Sequence, residues 1–336
     1  MGAGSIGCFV GGKLIAADAA DVAFIGRERI QREIAEHGLS IKDYDRPTVV
    51  IDPARARFET DVAALADCDA VLCCVKSAQT DAVAADLAAV LAADTVVLSL
   101  QNGLRNAPVL RGHLGDRPVL AGIVGFNVVS RGGGLFHRAL SGEVLFEAPA
   151  TDRGRTVIAA LVAAGLQVGT RADLAPDQWT KLIINLNNAV SALSGAPTRE
   201  LILSKSYRRI IAAIVDEAVA VLRSAHIKPA RLRGLPIGLM PKVLRLPTPL
   251  VRLVTRAQMK VDPQARSSMW EDLSRGRLTE VDYLNGEIVR LAEQVGARAP
   301  VNARIVDLVH AAEQQAAGPP GLDAGTLSAE LGIAPA

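Results

Sequence analysis

The segment WTKLIINLNNAVSAL sets Lys181, Asn185 and Asn188 at i, i+4 and i+7, so a continuous helix carries all of them on one face. Asparagine is a poor helix former, losing roughly several tenths of a kcal/mol against alanine, yet positions 185, 187 and 188 all hold it. A merely solvated stripe is more cheaply made from Glu, Lys or Ala. One ammonium among amides can hydrogen-bond a polar ligand and hand it a proton. Packing against a neighbouring domain is the competing explanation.

A second group lies in SSMWEDLSRGRLTEVDYLNGEIVRLAEQ. Ser268 and Asp272 share a helix face. Glu280 stands four residues before Leu284, near the apolar stripe of Val281, Leu284, Ile288, Leu291 and Val295. An acid in a first helical turn also favours the helix dipole, so capping explains Glu280 or Asp282 equally well. Tyr283 and Asn285 fit structural polar groups.

The third group opens the chain. Gly2, Gly4 and Gly7 in GAGSIG have the spacing of a dinucleotide-binding fingerprint. In that motif the first glycine permits a tight turn, the second clears the approach of a pyrophosphate, and the third lets helix and sheet pack closely. The amides of Ser5 and Ile6 then face the phosphate at the helix N-terminus. Arg27 follows the strand-like VAFI at the place where NAD sites usually hold an acid, and a guanidinium there suits a 2′-phosphate. Lys76 ends AVLCCVK and Asn102 follows VVLSLQ; both fall where parallel strands open onto a ligand crevice. A solvated lysine and a plain Asn-Gly turn are the bland alternatives.

Positioning these groups requires particular elements. Residues 22–25, 49–51, 70–75, 95–100 and 119–124 read as short buried strands, with a helical stretch at 79–92. Strands alternating with helices predict an α/β, Rossmann-like domain with a parallel sheet. HRALSGEVLFEA alternates like a hairpin, and a helix at 152–164 and the strand QVGTR close the domain. The pattern turns helical from about Pro176, with helices expected at 179–193, 204–225, 264–275, 279–295 and 299–315. Residues 228–257, with five prolines and many basic residues, read as short helices and loops. The expected domains are 1–170 for the dinucleotide, an all-helical 171–316 for substrate and catalysis, and a flexible tail at 317–336.

One methionine precedes GAGSIG, where this fold usually has its central strand. The first strand is therefore expected to be missing. A start codon placed too late is the favoured explanation, ahead of an artefact of how the chain was made or a remodelled sheet. Such a chain is expected to be less stable and to bind its cofactor poorly.

At 336 residues, half of them apolar, the chain is too long for one ordinary core. A net charge of +2, with no extended basic region, disfavours nucleic acid as a partner. Cys8, Cys68, Cys73 and Cys74 lack zinc-like spacing, so a reducing compartment and no metal are expected. With no signal-peptide pattern and no long apolar run, the reading is a soluble, cytoplasmic protein with no membrane partner. The apolar C-terminal helices leave a homodimer open.

With GAGSIG, the strand-end VK, QNG, WTKLIIN and SSMWEDLSRGRLTEVDYLNGE in place, the chain resembles the ketopantoate reductase (2-dehydropantoate 2-reductase) family, in a longer-chain branch. The resemblance implies NADPH-dependent reduction of 2-dehydropantoate to (R)-pantoate, a step toward pantothenate and coenzyme A. It implies Lys181 as general acid, Glu280 on the substrate hydroxyl, and Asn102 and Asn185 orienting substrate or lysine. Ser268 would meet the carboxylate, and Lys76 would lie near the cofactor ribose. The family's second asparagine on the lysine helix falls at Ala189 here, beside Asn188. That departure keeps another NADP-dependent 2-oxoacid or β-hydroxyacid oxidoreductase open as the alternative. A non-catalytic dinucleotide-binding protein is a more distant one.

Overall fold

The structure is a computed structural model, and residues 1–43, 46–138, 142–232, 234–254 and 265–334 are described. The chain divides into two compact units, Met1–Leu174 and a second beginning at Ala175, where the sequence pattern suggested 170/171.

In the first unit the strands are β1 (Ala23–Ile25), β2 (Leu39–Asp43), β3 (Thr48–Ile51), β4 (Arg57–Glu59), β5 (Ala70–Cys73), β6 (Val96–Ser99), β7 (Val119–Val124), β8 (Val128–Ser130), β9 (Leu135–Arg138), β10 (Val144–Glu147) and β11 (Val168–Arg171). They form a two-stranded sheet β1-β4, a five-stranded sheet β11-β10-β7-β6-β5 and a four-stranded sheet β3-β2-β9-β8. β5, β6 and β7 run parallel, and β10 joins β7 antiparallel. Period-2 alternation explains the apolar run of β6: Val96 and Leu98 enter one core and Val97 the other, as in a strand covered on both faces. The helix Ser5–Ala16 buries Cys8, Phe9, Val10, Leu14 and Ile15. Apolar on several sides, it is an interior helix, lying against β1 and the four-stranded sheet.

Among the described residues no strand precedes that helix. Met1 nevertheless occupies a ladder position between β1 and β5. Its amino group donates to the Leu72 carbonyl at 3.0 Å. Its carbonyl accepts from the Cys74 amide at 2.8 Å, while the Gly2 and Ala3 amides donate to Ile25 at 2.9 and 3.0 Å.

The hairpin expected from HRALSGEVLFEA is corrected. β9 pairs parallel with β2, and β10 pairs with β7 and β11. β9 buries only Phe136, whereas β10 places Val144 and Phe146 in one core and Leu145 in the other, so the two strands fit different sheets. Residues 139–141 of that stretch lie outside the described residues.

The second unit is helical. Its central helix, Lys205–Ser224, buries Ile210, Ile211, Ile214, Val215, Ala218, Val221 and Leu222. Helices Ala175–Asn185, Asn187–Ser194, Thr198–Leu203, Met240–Leu244, Thr248–Val254, Ser268–Ser274, Asn285–Gln294, Pro300–Gln315 and Ala324–Glu330 complete it. The expected helix 179–193 is two helices. Leu186 keeps helical dihedrals, but its amide is shared between Leu182 and Ile183 carbonyls at 3.1 and 3.3 Å, in the middle of the asparagine-rich stretch. Residues 255–264, which include the ends of two expected elements, lie outside the described residues.

The flexible tail at 317–336 is also corrected. Ala324–Glu330 is a helix whose Asp323 side chain caps the Gly325 and Thr326 amides. Leu327 is buried, the helix packs on Lys205–Ser224, and the Leu322 amide donates to the Leu193 carbonyl at 2.9 Å. The Gly-Pro run marks only the turn before this capped, leucine-bearing segment.

Candidate active site

In the first unit the candidate residues gather at the carboxyl ends of the parallel strands. Gly2 has φ +88°, and a Cβ there would lie 2.7 Å from the Val75 nitrogen. A Cβ on Gly7 would lie 2.4 Å from the Gly2 carbonyl oxygen. At Gly4 a Cβ would meet nothing within 4 Å. The loop is therefore closed against the protein at two glycines and open at the middle one. Gly4 caps the helix without a side chain, so the first-turn amides of Ser5, Ile6 and Gly7 have no intrahelical acceptor. These are features that a pyrophosphate requires.

Gly26 follows β1 and lies against Ala3 of this loop, and exposed Arg27 comes next, at the start of the helix Glu28–His37. Lys76 is half-buried just past β5, directly after Val75, which walls the glycine loop. Asn102 stands beyond the adjacent strand β6. The two strand ends are tied together: the Ser77 hydroxyl donates to the Asn102 carbonyl at 3.0 Å. Gln101 Nε2 donates to Thr80 Oγ1 at 2.7 Å and to the Val75 carbonyl at 3.1 Å. Thr80 in turn donates to Asn106 Oδ1 at 2.7 Å. Ser77, Thr80, Gln101 and Asn106 are buried. Sequence reading missed this network; its signal was polar residues clustered immediately after two apolar strands.

Burial raises the thiols nearby. Cys74 is pushed up to about 12, and Cys8 and Cys73 also rise by desolvation. They stay protonated at neutral pH and are poor nucleophiles. Among the described residues no His/Cys/Asp/Glu group could hold a metal ion, and no helix is long and apolar enough to cross a membrane.

In the second unit Lys181 and Asn185 lie one turn apart on the helix Ala175–Asn185, which buries Trp179, Thr180, Leu182 and Ile183. Both remain partly exposed. Burial disfavours the charged ammonium and lowers the Lys181 pKa from its ordinary 10.5. Asn188 is on the next helix and partly exposed, whereas Ala189 is fully buried. The face continuing from the lysine thus presents Asn188.

Ser268, the first residue of its helix, is exposed. Its neighbour Ser267 makes the connection to the asparagine segment. Ser267 Oγ donates to the Asn188 carbonyl at 2.9 Å and accepts the Trp270 amide at 3.1 Å. Ser267, not Ser268, is the cap of this helix, and a serine just before a helical run is the usual sequence signal for one.

Glu280 is 8% exposed. The helix expected over 279–295 begins at Asn285; Glu280 instead precedes a 3₁₀ turn, Val281–Tyr283. Two contacts hold this turn to the helix Pro300–Gln315: the Thr279 amide donates to Glu313 Oε1 at 2.7 Å, and Asp282 pairs with His310 at 3.1 Å. Just beyond, Asn285 Nδ2 donates to Asn302 Oδ1 at 3.0 Å. Asn302 Nδ2 donates to Glu217 Oε1 at 2.8 Å, and the same carboxylate accepts the Val301 and Asn302 amides at 2.9 and 2.8 Å.

An open phosphate cradle, polar strand ends and a desolvated lysine beside an asparagine describe an oxidoreductase in general. Comparison with known proteins narrows this. The chain matches the family described as ketopantoate reductase PanE/ApbA over residues 1–150, and its C-terminal part over residues 173–313. The 2-dehydropantoate 2-reductase of Halobacterium salinarum is 30% identical over 322 residues, spanning 94% of this chain and 98% of its own.

The chain belongs to the ketopantoate reductase family.

The 2-dehydropantoate 2-reductase of Archaeoglobus fulgidus is 28% identical, covering 93% of this chain and 96% of its own. Among solved structures, a PanE/ApbA family ketopantoate reductase from Ralstonia eutropha aligns with TM-score 0.79 and 30% identity, over 94% of this chain and 98% of that one. D-mandelate dehydrogenase, solved with NADH and anilino(oxo)acetate, shares the fold with TM-score 0.75 at 22% identity, over 94% of this chain and 97% of its own.

Proposed function

We propose that this oxidoreductase reduces the ketone of 2-dehydropantoate to (R)-pantoate with NADPH. Lys181 carries the chemical part of this reading: its ammonium is partly desolvated, and Asn185 stands one turn away. Relatives that bear the name 2-dehydropantoate 2-reductase over nearly the full length support the substrate.

The dinucleotide fits the residues present. The open side of Gly4 and the amides of Ser5, Ile6 and Gly7 would hold the pyrophosphate, Arg27 a 2′-phosphate, and Lys76 and Asn102 the ribose side. When bound, the nicotinamide supplies hydride.

Lys181 donates a hydrogen bond to the ketone oxygen, stabilises the negative charge that grows there, and gives up its proton to form the alcohol. A pKa below the ordinary lysine value makes it a readier acid near neutral pH. Asn185 and Asn188 orient substrate and lysine, and Asn102 helps. Ser268 takes the carboxylate. Glu280 accepts a hydrogen bond from the substrate hydroxyl, a preference stronger than any for one more methylene, because a substrate lacking the hydroxyl forfeits a hydrogen bond to a charged group. The four free thiols suit a reducing, cytoplasmic setting.

Ala189 favours a second reading. It is fully buried, where the family's other asparagine is expected, so the substrate is alternatively another small 2-oxoacid. NADPH oxidation measured with 2-dehydropantoate, pyruvate, 2-oxoisovalerate and benzoylformate separates the two. A kcat/KM for 2-dehydropantoate at least about tenfold above the rest supports the first reading; a clear preference for an acid lacking the hydroxyl ends it.

A further inference from the structure

We infer that the helical unit carries a second binding site, for a small organic anion with an apolar body, in a groove on the helix Lys205–Ser224. This helix sets Asp216, Val219 and Arg223 on one face. Opposite stand Leu239, Lys242 and Arg245 from the proline-rich segment, and the space between measures about 520 Å³. That volume is in the range of small-molecule sites.

The charges in the groove do not balance. Arg245 pairs with Asp216 at 2.5 Å. Among the described residues, Arg223 and Lys242 have no carboxylate partner, and both are exposed to the groove. Two cations therefore project from opposite walls over the apolar surfaces of Val219 and Leu239. An anionic head with a short hydrocarbon or ring body satisfies both features.

The wall bearing Lys242 and Arg245 is fixed. Arg208 is fully buried. Its Nε donates to the Leu244 carbonyl at 2.9 Å. One terminal nitrogen donates to the Ile202 and Leu203 carbonyls at 3.0 and 2.9 Å. The other reaches the Leu246 carbonyl at 3.1 Å and Thr248 Oγ1 at 3.2 Å. A guanidinium has five N–H donors, and all are used here: three clamp the proline-rich segment to the helix Lys205–Ser224 and two hold the end of the helix Thr198–Leu203. A groove held this way loses little entropy when it binds.

Isothermal titration of the full chain with hexyl phosphate and with heptanoate tests the site. We expect hexyl phosphate to bind with a Kd of about a millimolar or tighter, and to bind less tightly as salt screens the cations. Arg223→Ala/Lys242→Ala should weaken binding at least about tenfold, with the Arg29→Ala control unchanged. Heptanoate binding as tightly as hexyl phosphate would mark the ligand as a carboxylate; weaker binding would mark it as a phosphate ester. Equal affinity in wild type and double variant, or binding of neither probe at about 10 mM, would overturn the proposal. Affinity is the readout, so the result stands apart from the assignment of the reductase reaction.

Discussion

The α-carbon of Gly7 faces the carbonyl oxygen of Gly2 so closely that an added methyl would sit 2.4 Å from it. Gly4, between them, faces open space. The two positions therefore separate folding from binding. Gly7→Ala should lower both the melting temperature and NADPH affinity, because backbone must move. Gly4→Ala should leave the melting temperature unchanged and weaken NADPH at least about tenfold, or 1.4 kcal/mol. Thermal melts beside fluorescence titration of NADPH check both; undiminished affinity in Gly4→Ala would remove the pyrophosphate from this loop.

Lys181 should impose an alkaline limb on turnover. Its folded pKa lies below 10.5, so the protonated acid is lost as pH rises through that lower value, and kcat should fall there. Lys181→Arg keeps a charge that does not titrate in this range and should remove the limb. Lys181→Ala should cut kcat by about a hundredfold or more while NADPH binding persists. The stability sign is opposite. The unfolded chain binds the extra proton between the two pKa values, so this residue's contribution to stability improves as pH rises through that window. A kcat that stays flat to pH 10.5 would reject the role.

Arg27 follows β1 and is exposed, so its removal should cost little in folding. Arg27→Ala is expected to lower kcat/KM with NADPH by about tenfold and leave NADH nearly unchanged. Equal losses with both cofactors would mean that Arg27 does not read the 2′-phosphate.

Asn302 is fully buried between Asn285 and Glu217. Asn302→Ala strands a donor on one side and weakens a carboxylate cap on the other, and should reduce the unfolding free energy by about 1–3 kcal/mol. Urea denaturation measures this. The turn bearing Glu280 packs on the same helix, so KM for 2-dehydropantoate should rise as well.

The glycine spacing made the opening loop readable because close packing leaves no room for a side chain, and that demand appears at Gly2 and Gly7, while Gly4 faces open space. β5, β6 and β7 were equally plain, since strands covered on both faces are apolar throughout. β2, β4 and β8 were not anticipated. They are short, and LSIKD and RFE interleave charge with apolar residues as a surface loop does. Near Glu280 an apolar stripe at helical spacing suggested one long helix, but Asn285 spends its side chain on Asn302 and the helix starts there. Adjacent serines differ only in what lies above the helix end, so the tie from Ser267 to the Asn188 carbonyl was not legible in the sequence. The tail was misjudged for a related reason: Gly and Pro mark where a chain turns and carry no information about whether it docks afterwards.

Arg208 adds a constraint on how this chain can change its length. Three of its five acceptors, on Leu244, Leu246 and Thr248, come from the proline-rich segment, at and just beyond the end of the helix Met240–Leu244. Deleting that segment while keeping the arginine would remove three of its five acceptors and leave only the Ile202 and Leu203 carbonyls to hold its charge, a costlier change than the loss of any leucine there. Trimming the loop and replacing the arginine must therefore occur together, so shorter relatives that fold well should carry an uncharged side chain at this position.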